Sequence, residues 1–421
     1  MAVNIPQVIT PDRASGAEVI DGCLKFDTTK GQYLKFTPSS SGNRRTQTLS
    51  VWIKNTYNGS DNKVILGGGD NASGPRHNIY YTPTKRFGIT QNPTGSSNDA
   101  AVSVSQFRDF SGWQHLVFAL DCTLGQESSQ VRIWVNGEIQ SNGDYAGGGA
   151  PSYITDQDGI FNTISKRMYL GHYAANPGDP AEFDGYMAQY HWIDGLALGP
   201  SYFAYSDPLT GVWRPKKFRA EGTTVNDGTE WTTKMSNTDL VYSGDASNVY
   251  NGAVYPWTTD NYASFNQGTL TLLTGVSIEV KHSIRIFGNW GYGDYIVING
   301  VNYLNDADGS NKWITPTGVT YPLTLSSLAL DTTPLGYQNS LSAIEIDGVI
   351  MKDSTTQNLD FGTNGVYLPF DGSAPIGEDQ SGKGNDYTPV NFGGSASIEK
   401  ATGAKPILNT INGGTVARAG V

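Results

Sequence analysis

The chain has 421 residues and a formal net charge of −11, and an acidic surface repels phosphate backbones, so nucleic acid is excluded as an expected partner. Only 16% of the residues are charged, while 51 are glycine and 23 are tyrosine, which favours short strands and turns over helices. No apolar run approaches the roughly 20 residues that span a bilayer, and the N-terminus lacks the features of a secretory signal, so neither membrane insertion nor export is expected.

Residues 1–20 are polar and aperiodic, and we predict an N-terminal arm there. Strand patterns then recur at short intervals, separated by turn-forming pairs such as Asn136-Gly137, as in a β-sandwich. The predicted strands in this part of the chain are 33–36, 47–53, 64–66, 78–81, 87–90, 113–120, 131–135 and 168–171. The length is typical of two or three domains, and the predicted fold class is all-β.

The stretch FDGYMAQYHWIDGLAL at 183–198 carries aromatic side chains on both faces of a predicted strand. Strand side chains alternate with a period of two. The expected faces are therefore Phe183, Met187 and His191 on one side and Tyr186, Tyr190 and Trp192 on the other. A strand with aromatic residues on both faces is predicted to lie between two layers of the fold.

Several segments stand in the order that laminin-G-like, or concanavalin A-like, jelly rolls show. They are TLSVWIK at 48–54, GWQHLVFALD at 112–121, VRIWVNGE at 131–138 and MYLG at 168–171. The stretch 183–198 resembles the closing strand of the same family. The resemblance implies a concanavalin A-like jelly-roll sandwich over residues 21–221.

A second resemblance is to large virion proteins of marine tailed phages. It is carried by RASGAEVIDGCLKFD at 13–27, the segment 183–218, and NGVYLPFDGSAPIGEDQSGKGNDYTPVNF at 364–392. In those proteins the last two segments follow each other closely, whereas here residues 219–363 separate them. We therefore predict an inserted domain over residues 222–360.

The predicted insert has its own alternation of polar and aliphatic residues, which favours a second, smaller β-sandwich. Its predicted strands are 277–280, 283–287, 295–298, 323–325, 343–346 and 349–351. Residues 361–421 are predicted to be a C-terminal segment or linker. They either lead to further modules of a longer chain, which we favour, or pack on a neighbouring surface.

The catalytic motif of the glucanases that share this fold is Glu-x-Asp-x-x-Glu. Here Glu182 and Asp184 begin it, but Met187 stands at the third position and can be neither nucleophile nor acid, whereas glycoside hydrolysis needs two carboxyl groups. No enzymatic activity is expected. The glycine-rich segment 377–384 nearly matches a phosphate-binding loop, but Gly384 replaces the hydroxyl residue that binds Mg²⁺, so we interpret it as an ordinary loop.

Laminin-G-like domains often bind Ca²⁺ at a rim of loops, and two acidic turns offer suitable oxygen donors. The candidate ligands are Asp156 and Asp158 in one turn and Asp306 and Asp308 in the other. Neither turn has the glutamate that would complete an EF-hand loop. Ca²⁺ is the only cofactor that the sequence suggests, because five scattered histidines and two cysteines provide no metal cluster. Cys23 and Cys122 are predicted to be buried thiols.

Two loops of the insert, 255–262 and 288–295, combine aromatic residues with Asp, Asn and Gly. Rings that stand out from such loops can stack on sugars. The candidate carbohydrate-binding residues are Trp257, Tyr262, Trp290 and Tyr292. The alternative is that these rings cap the sandwich or pack against a neighbouring subunit.

The two resemblances together imply a virion structural protein of a tailed phage. The expected role is a tail-associated fibre or appendage that contributes to particle attachment and adhesion to the host surface. Other virion proteins and a host-surface glycan are the expected partners, in a homo-oligomer for which a trimer is favoured. The missing export signal favours synthesis in the host cytoplasm and exposure on the virion. Alternatives are a capsid-decorating head fibre and, in another class, a secreted glycan-binding or glycan-hydrolysing protein.

Overall fold

The structure is a computed structural model. It describes residues 20, 22–69, 74–92, 99–143, 158–173, 181–207, 210–256, 261–290, 294–306, 309–333, 339–392, 406–409 and 414–417. Within these residues nearly all regular structure is antiparallel β-sheet, which confirms the predicted all-β class. Every strand predicted between residues 33 and 171 corresponds to a strand in the structure.

The strands follow each other closely along the chain. They are β1 (Leu24–Phe26), β2 (Tyr33–Phe36), β3 (Thr46–Asn55), β4 (Lys63–Gly69), β5 (Arg76–Tyr81), β6 (Phe87–Asn92), β7 (Asp99–Ser103), β8 (Gln114–Asp121), β9 (Val131–Val135), β10 (Glu138–Ile139), β11 (Asn142–Gly143), β12 (Met168–Leu170), β13 (Gly185–Asp194), β14 (Ala204–Ser206), β15 (Trp213–Pro215), β16 (Thr223–Asp227), β17 (Val241–Gly244), β18 (Ala263–Phe265), β19 (Thr269–Val280), β20 (Ile284–Trp290), β21 (Tyr295–Ile298), β22 (Val301–Leu304), β23 (Gly309–Ile314), β24 (Leu323–Asp331), β25 (Asn339–Ile346), β26 (Val349–Ile350), β27 (Thr356–Asn358), β28 (Val366–Leu368), β29 (Thr388–Val390), β30 (Pro406–Asn409) and β31 (Gly414–Ala417).

Helical structure among the described residues is limited to single turns. They are the α-helix α1 (Glu127–Gln130) and the 3₁₀ turns Thr28–Lys30, Pro200–Tyr202, Trp231–Lys234, Thr238–Leu240 and Ala246–Tyr250.

The first sandwich consists of a seven-stranded and an eight-stranded sheet. The seven-stranded sheet has the order β1-β13-β3-β8-β9-β10, with β28 also paired to β13, and the eight-stranded sheet has the order β11-β7-β6-β5-β4-β12-β2-β29. The sheets enclose a core in which Phe118, Phe161 and Trp192 are buried. This is the jelly roll that the sequence predicts.

Strand β13 contains a bulge that changes which side chains face the core. It pairs with β3 on both sides of a break in register between Ala188 and His191. A bulge inserts one extra residue and therefore reverses the alternation beyond it. As a result Met187, Tyr190 and Trp192 share the core, and the expectation that Met187 and Trp192 lie on opposite faces is wrong.

Residues 361–392 belong to the first sandwich. Strand β28 pairs with β13, and β29 pairs with β2. Strands β1 and β28 lie end to end along β13, because β1 pairs with its first half and β28 with its second half. The interpretation of 361–421 as a linker is therefore wrong for this part, since long-range strand pairing orders it.

The second sandwich is built from the chain between β16 and β27. Its six-stranded sheet has the order β17-β18-β25-β20-β23, with β26 beside β25, and its four-stranded sheet has the order β19-β24-β21-β22. Phe265, Ile286 and Leu325 lie in the core between them. Strands β16 and β27 pair with each other, so the insert leaves the first sandwich close to where it enters, as a tolerated insertion requires.

The two sandwiches pack against each other through a buried contact. Leu124 of the first sandwich lies in one apolar cluster with Phe287 and Ile350 of the second. Arg132 on β9 forms a buried ion pair with Glu345 on β25 at 2.7 Å. Separating the sandwiches would leave these buried charges without their partners, which is unfavourable. The contact is therefore stable, and residues of both sandwiches can form one site.

Candidate functional site

A groove between the two sandwiches contains a cavity of about 770 Å³. Aromatic side chains from both sides line it: Trp134, Tyr205 and Trp213 from the first sandwich, and His282 and Tyr321 from the second. We call this part the aromatic lobe. A concave site that combines aromatic rings with a few fixed polar groups is the usual form of a small-ligand site.

Hydrogen bonds hold three of the five rings of the aromatic lobe in place. The Trp213 Nε1 donates to Nδ1 of His115 at 3.0 Å, and its ring lies 5.1 Å from that of His282. His282 Nε2 is 2.6 Å from the carbonyl oxygen of Gly137. Tyr321 OH accepts from the backbone N of Ile284 at 3.2 Å. The lobe is therefore preorganised from strands of both sandwiches.

The groove continues into a second cavity of about 540 Å³. Lys216, Glu279 and Lys281 line both cavities, so the two adjoin. The second cavity is also lined by Lys217 and Trp231, and we call it the charged lobe. One extended ligand can contact both lobes.

Lys216 lies at the junction of the two lobes, and its Nζ donates to the carbonyl oxygen of Ser201. Burial and the nearby Lys281 ammonium lower the pKa of Lys216 to about 8, although Asp347 and Glu279 act in the opposite direction. Burial raises the pKa of Asp347, but hydrogen bonds from the backbone of Lys281, Ser283 and His282 oppose that effect. The junction therefore contains two neighbouring lysines near a carboxylate that the backbone already binds.

Ser50 and His115 form a serine–histidine pair behind the aromatic lobe, with Oγ and Nε2 2.9 Å apart. Because the indole N–H of Trp213 can only donate, Nδ1 of His115 is an acceptor, and Nε2 must carry the proton. The histidine therefore donates to Ser50 and cannot remove its proton, as a catalytic base would. Burial also lowers the pKa of His115 to about 3.

The sequence-predicted carbohydrate residues do not line this groove where they are described. Trp290 is only 3% exposed and packs in the core of the second sandwich, so the expectation that its ring stands out from the surface is wrong. Tyr262 is half-buried, and its backbone carbonyl accepts from Asn248 Nδ2 at 3.1 Å. Trp257 and Tyr292 lie outside the described residues, and their role stays a prediction.

The calcium candidates are engaged by protein groups where the structure describes them. Asp158 accepts from Arg44 at 3.1 Å and from Arg45 at 2.7 Å, and two guanidinium groups oppose a cation there. The Asp306 carboxylate accepts from the backbone N of Thr315 at 2.7 Å. Asp156 and Asp308 lie outside the described residues. Among the residues described, no three acidic, histidine or cysteine side chains are grouped as metal ligands.

The loop that resembles a phosphate-binding motif is organised around its own carboxylate. Asp379 accepts from the backbone N of Tyr367 at 2.9 Å, of Ser381 at 2.8 Å and of Asn385 at 3.0 Å. These amides are already used by an internal anion, which supports the interpretation as an ordinary loop. The two cysteines form no disulfide; Cys122 is buried as predicted, and Cys23 is half-buried.

The residues that line the groove were not predicted from the sequence. Tyr205, Trp213 and Lys216 lie in the segment 203–218, FAYSDPLTGVWRPKKF, which attracted attention only through its resemblance to virion proteins. The available signal was the mixture of aromatic and basic residues within one short segment. Nothing local in the sequence indicates that 315–322 of the insert faces this segment.

Comparison with known proteins agrees with the architecture. Residues 27–197 match the model of a family described as the concanavalin A-like lectin/glucanases superfamily. This part of the chain has the concanavalin A-like fold. No curated protein matches the chain. No helix among the described residues combines the length and the apolar character needed to cross a membrane.

Several solved structures resemble the chain at low identity. A heptameric SAP-like pentraxin from Limulus polyphemus is 14% identical, with 43% of this chain and 80% of that chain covered and a TM-score of 0.32. The CBM40 of Ruminococcus gnavus IT-sialidase, bound to α2,3 sialyllactose, is 15% identical, with coverage of 40% and 89% and a TM-score of 0.28. Domains LG4-5 of the mouse laminin α1 chain are 12% identical, with coverage of 85% and 84% and a TM-score of 0.30.

Proposed function

We propose that this chain is a carbohydrate-binding protein and that the aromatic lobe holds a sugar. The observation that carries the proposal is a cavity of about 770 Å³ whose rings come from both sandwiches. Sugars present apolar C–H faces that pack on aromatic rings, and hydroxyl groups that need fixed polar partners. Trp213 and Tyr321 supply rings whose polar atoms are already hydrogen-bonded.

The groove is proposed to bind glycan without cleaving it. Glycoside hydrolysis uses two carboxyl groups on either side of the scissile bond. Glu138 and Glu279 are the carboxylates that line the aromatic lobe, and Glu279 lies 3.3 Å from Lys281 in an ion pair. The absence of catalysis stays a prediction, and turnover of any bound glycan would contradict it.

Truncating a ring of the aromatic lobe is expected to weaken glycan binding. Trp213→Ala and Tyr321→Ala should each lower the affinity about tenfold, or by about 1.4 kcal/mol, because the packed sugar face loses its aromatic partner. A glycan array would identify a ligand, and calorimetric titration would measure its affinity for each variant. Tyr242→Ala removes an exposed ring elsewhere on the second sandwich and should bind like the parent. Equal affinity in all the variants would contradict the site.

We further propose that glycan binding serves the attachment of a tailed phage particle, with this chain as a tail-associated fibre or appendage. The support is the resemblance of 13–27, 183–218 and 364–392 to virion proteins. Immunogold labelling of purified particles should place the protein on the tail. Labelling of the capsid would instead support a head fibre, and particles without label would contradict a virion role.

A further inference from the structure

We propose that the charged lobe binds an anionic substituent, a carboxylate or a sulfate, on the glycan whose ring occupies the aromatic lobe. This inference rests on the proposed function and adds the chemical class of the ligand. Lys216, Glu279 and Lys281 line both lobes, so a substituent of the bound sugar can reach the lysines without leaving the groove.

Two of the four cations that line the charged lobe have no ion-pair partner among the described residues. Lys281 is paired with Glu279, and Arg219 is paired with Glu221 at 3.1 Å. Lys216 and Lys217 belong to no ion pair among the described residues. Asp227 and Asp347 also line the lobe, so its four cations and four carboxylates balance. Both of these carboxylates accept from backbone amides, and Lys216 and Lys217 are the two cations of the lobe that no described ion pair engages.

The environment of Lys216 leaves room for an anionic partner. An ammonium group has three donors, and the described partner of Lys216 is one neutral carbonyl oxygen, that of Ser201. Burial and the repulsion from Lys281 disfavour its charged form. An anion bound at Lys216 would accept from its remaining donors and offset the repulsion from Lys281. Such hydrogen bonds are charge-assisted and therefore stronger than neutral ones.

The charged lobe is also lined by a residue whose buried donor has no acceptor among the described residues. Trp231 lines the charged lobe and is only 3% exposed, and its indole Nε1 has no hydrogen-bond partner among the described residues. Buried donors are nearly always paired. An anionic oxygen in the lobe is the acceptor that we propose for this donor.

The charge of Lys216 makes this binding dependent on pH. The charged groups that act on Lys216 are Lys281, Asp347 and Glu279. The lining of the two lobes also includes further ionisable groups: Glu138, Tyr202, Lys217, Arg219, Glu221, Asp227, His282 and Arg285. The pKa of Lys216 is about 8, so the ammonium is present at pH 7 and largely lost at pH 9. The affinity for an anionic glycan should fall over this range, and the affinity for a neutral glycan should not change with it.

The test compares oligosaccharides that differ only in charge. Tetragalacturonate and its carboxyl-reduced form make one pair, and a sulfated galactan tetrasaccharide and its desulfated form make the other. Calorimetric titration at pH 7 should show at least one anionic form binding about tenfold more tightly than its neutral partner, and most of this preference should be lost at pH 9. The pair that shows the preference identifies the anion as carboxylate or sulfate.

Variants of the two lysines test the assignment. Lys216→Met and Lys217→Gln should each remove most of the preference at pH 7; the second changes an exposed side chain and leaves the fold intact. Lys30→Met changes an exposed lysine on the first sandwich and should keep the preference. Equal binding within both pairs, or a preference that survives both lysine variants, would overturn the inference.

Failure of all four oligosaccharides to bind would also overturn the inference about charge. Two different results would contradict the proposed function. One is a glycan array on which the protein binds no ligand, and the other is a ligand whose affinity is the same for the parent, Trp213→Ala and Tyr321→Ala. A neutral ligand that depends on those rings would keep the proposed function and exclude the anion site.

Discussion

Replacement of Glu345 by glutamine is expected to lower the free energy of unfolding by about 3–5 kcal/mol. Glu345 is completely buried and accepts from Arg132 at 2.7 Å and from Arg285 at 2.7 and 2.8 Å. Without its charge, two guanidinium groups remain buried between the sandwiches with no counter-ion. Urea denaturation followed by tryptophan fluorescence would measure the loss, because tryptophans are present in both sandwiches.

Two matched variants separate this effect from a general loss of charge. Arg219→Gln breaks an ion pair whose side chains are 79% and 70% exposed, and it should change the free energy of unfolding by less than about 0.5 kcal/mol. Replacing the whole triad, as in Arg132→Met, Arg285→Leu and Glu345→Leu together, should recover most of the stability, because no unpaired charge is left. A Glu345→Gln variant with the same free energy of unfolding as the parent would contradict the explanation.

The same carboxylate gives the contact between the sandwiches a sensitivity to acid. Burial alone would raise the pKa of Glu345, but attraction to Arg285 and Arg132 outweighs it and lowers the pKa to about 2. A carboxyl group with a lowered pKa in the folded state contributes its full stability above its ordinary pKa of about 4.3. That contribution disappears as the pH falls through 2, so the stability difference between the parent and Glu345→Gln should shrink between about pH 4.5 and pH 2.

Replacement of Asp194 by alanine is expected to cost about 3–5 kcal/mol of unfolding free energy. Its buried carboxylate accepts from the backbone N of Asn43 at 2.7 Å, from Asn162 Nδ2 at 2.9 Å and from the backbone N of Asn364 at 2.9 Å. The variant removes an acceptor from three donors at the end of β13, and the bonds lost by Asn162 and Asn364 are buried. Thermal unfolding and urea denaturation of the variant would measure the loss.

Asp184→Ala provides the control at the opposite end of β13. Asp184 is half-buried. Among the described residues its backbone carbonyl accepts from the backbone N of Thr56 at 3.1 Å, and its carboxylate has no described hydrogen bond or ion pair. We expect a change of less than about 0.5 kcal/mol. If Asp184→Ala and Asp194→Ala lowered stability equally, the carboxylate network around Asp194 would not explain the loss.

The strands of the first sandwich could be predicted because their signal is local. Strand β3 and strand β8 are runs of alternating or continuous apolar residues bounded by turns, and a side chain's preference for a buried pleated surface does not depend on distant partners. The bulge at Ala188–His191 has no such signal, since it depends on how β13 meets two different strands. For the same reason β28, whose partner is more than 170 residues away in the chain, was not recognised as part of the jelly roll.

The candidate site was harder to predict because two distant segments form it. The glycines around Trp290 predicted an exposed ring, but Gly288 is required for the close packing of two strands. A Cβ added there would lie 2.0 Å from the carbonyl oxygen of Ser340, so the residue allows β20 and β25 to approach closely, and Trp290 turns into the core. The aromatic residues of the groove lie on other segments than the loops 255–262 and 288–295, and the roles of Trp257 and Tyr292 stay predictions.

Strands β1 and β28 pair with different halves of β13, so the edge of this sheet is completed by two segments that are synthesised at different times. When the ribosome has produced residues 1–221, the second half of β13 and the outer side of β2 still lack the neighbours that β28 and β29 supply. All strands of the second sandwich are available by residue 358, before either of those strands emerges. The inserted unit can therefore reach its native state first, and the surrounding jelly roll closes only after the ribosome has passed residue 390.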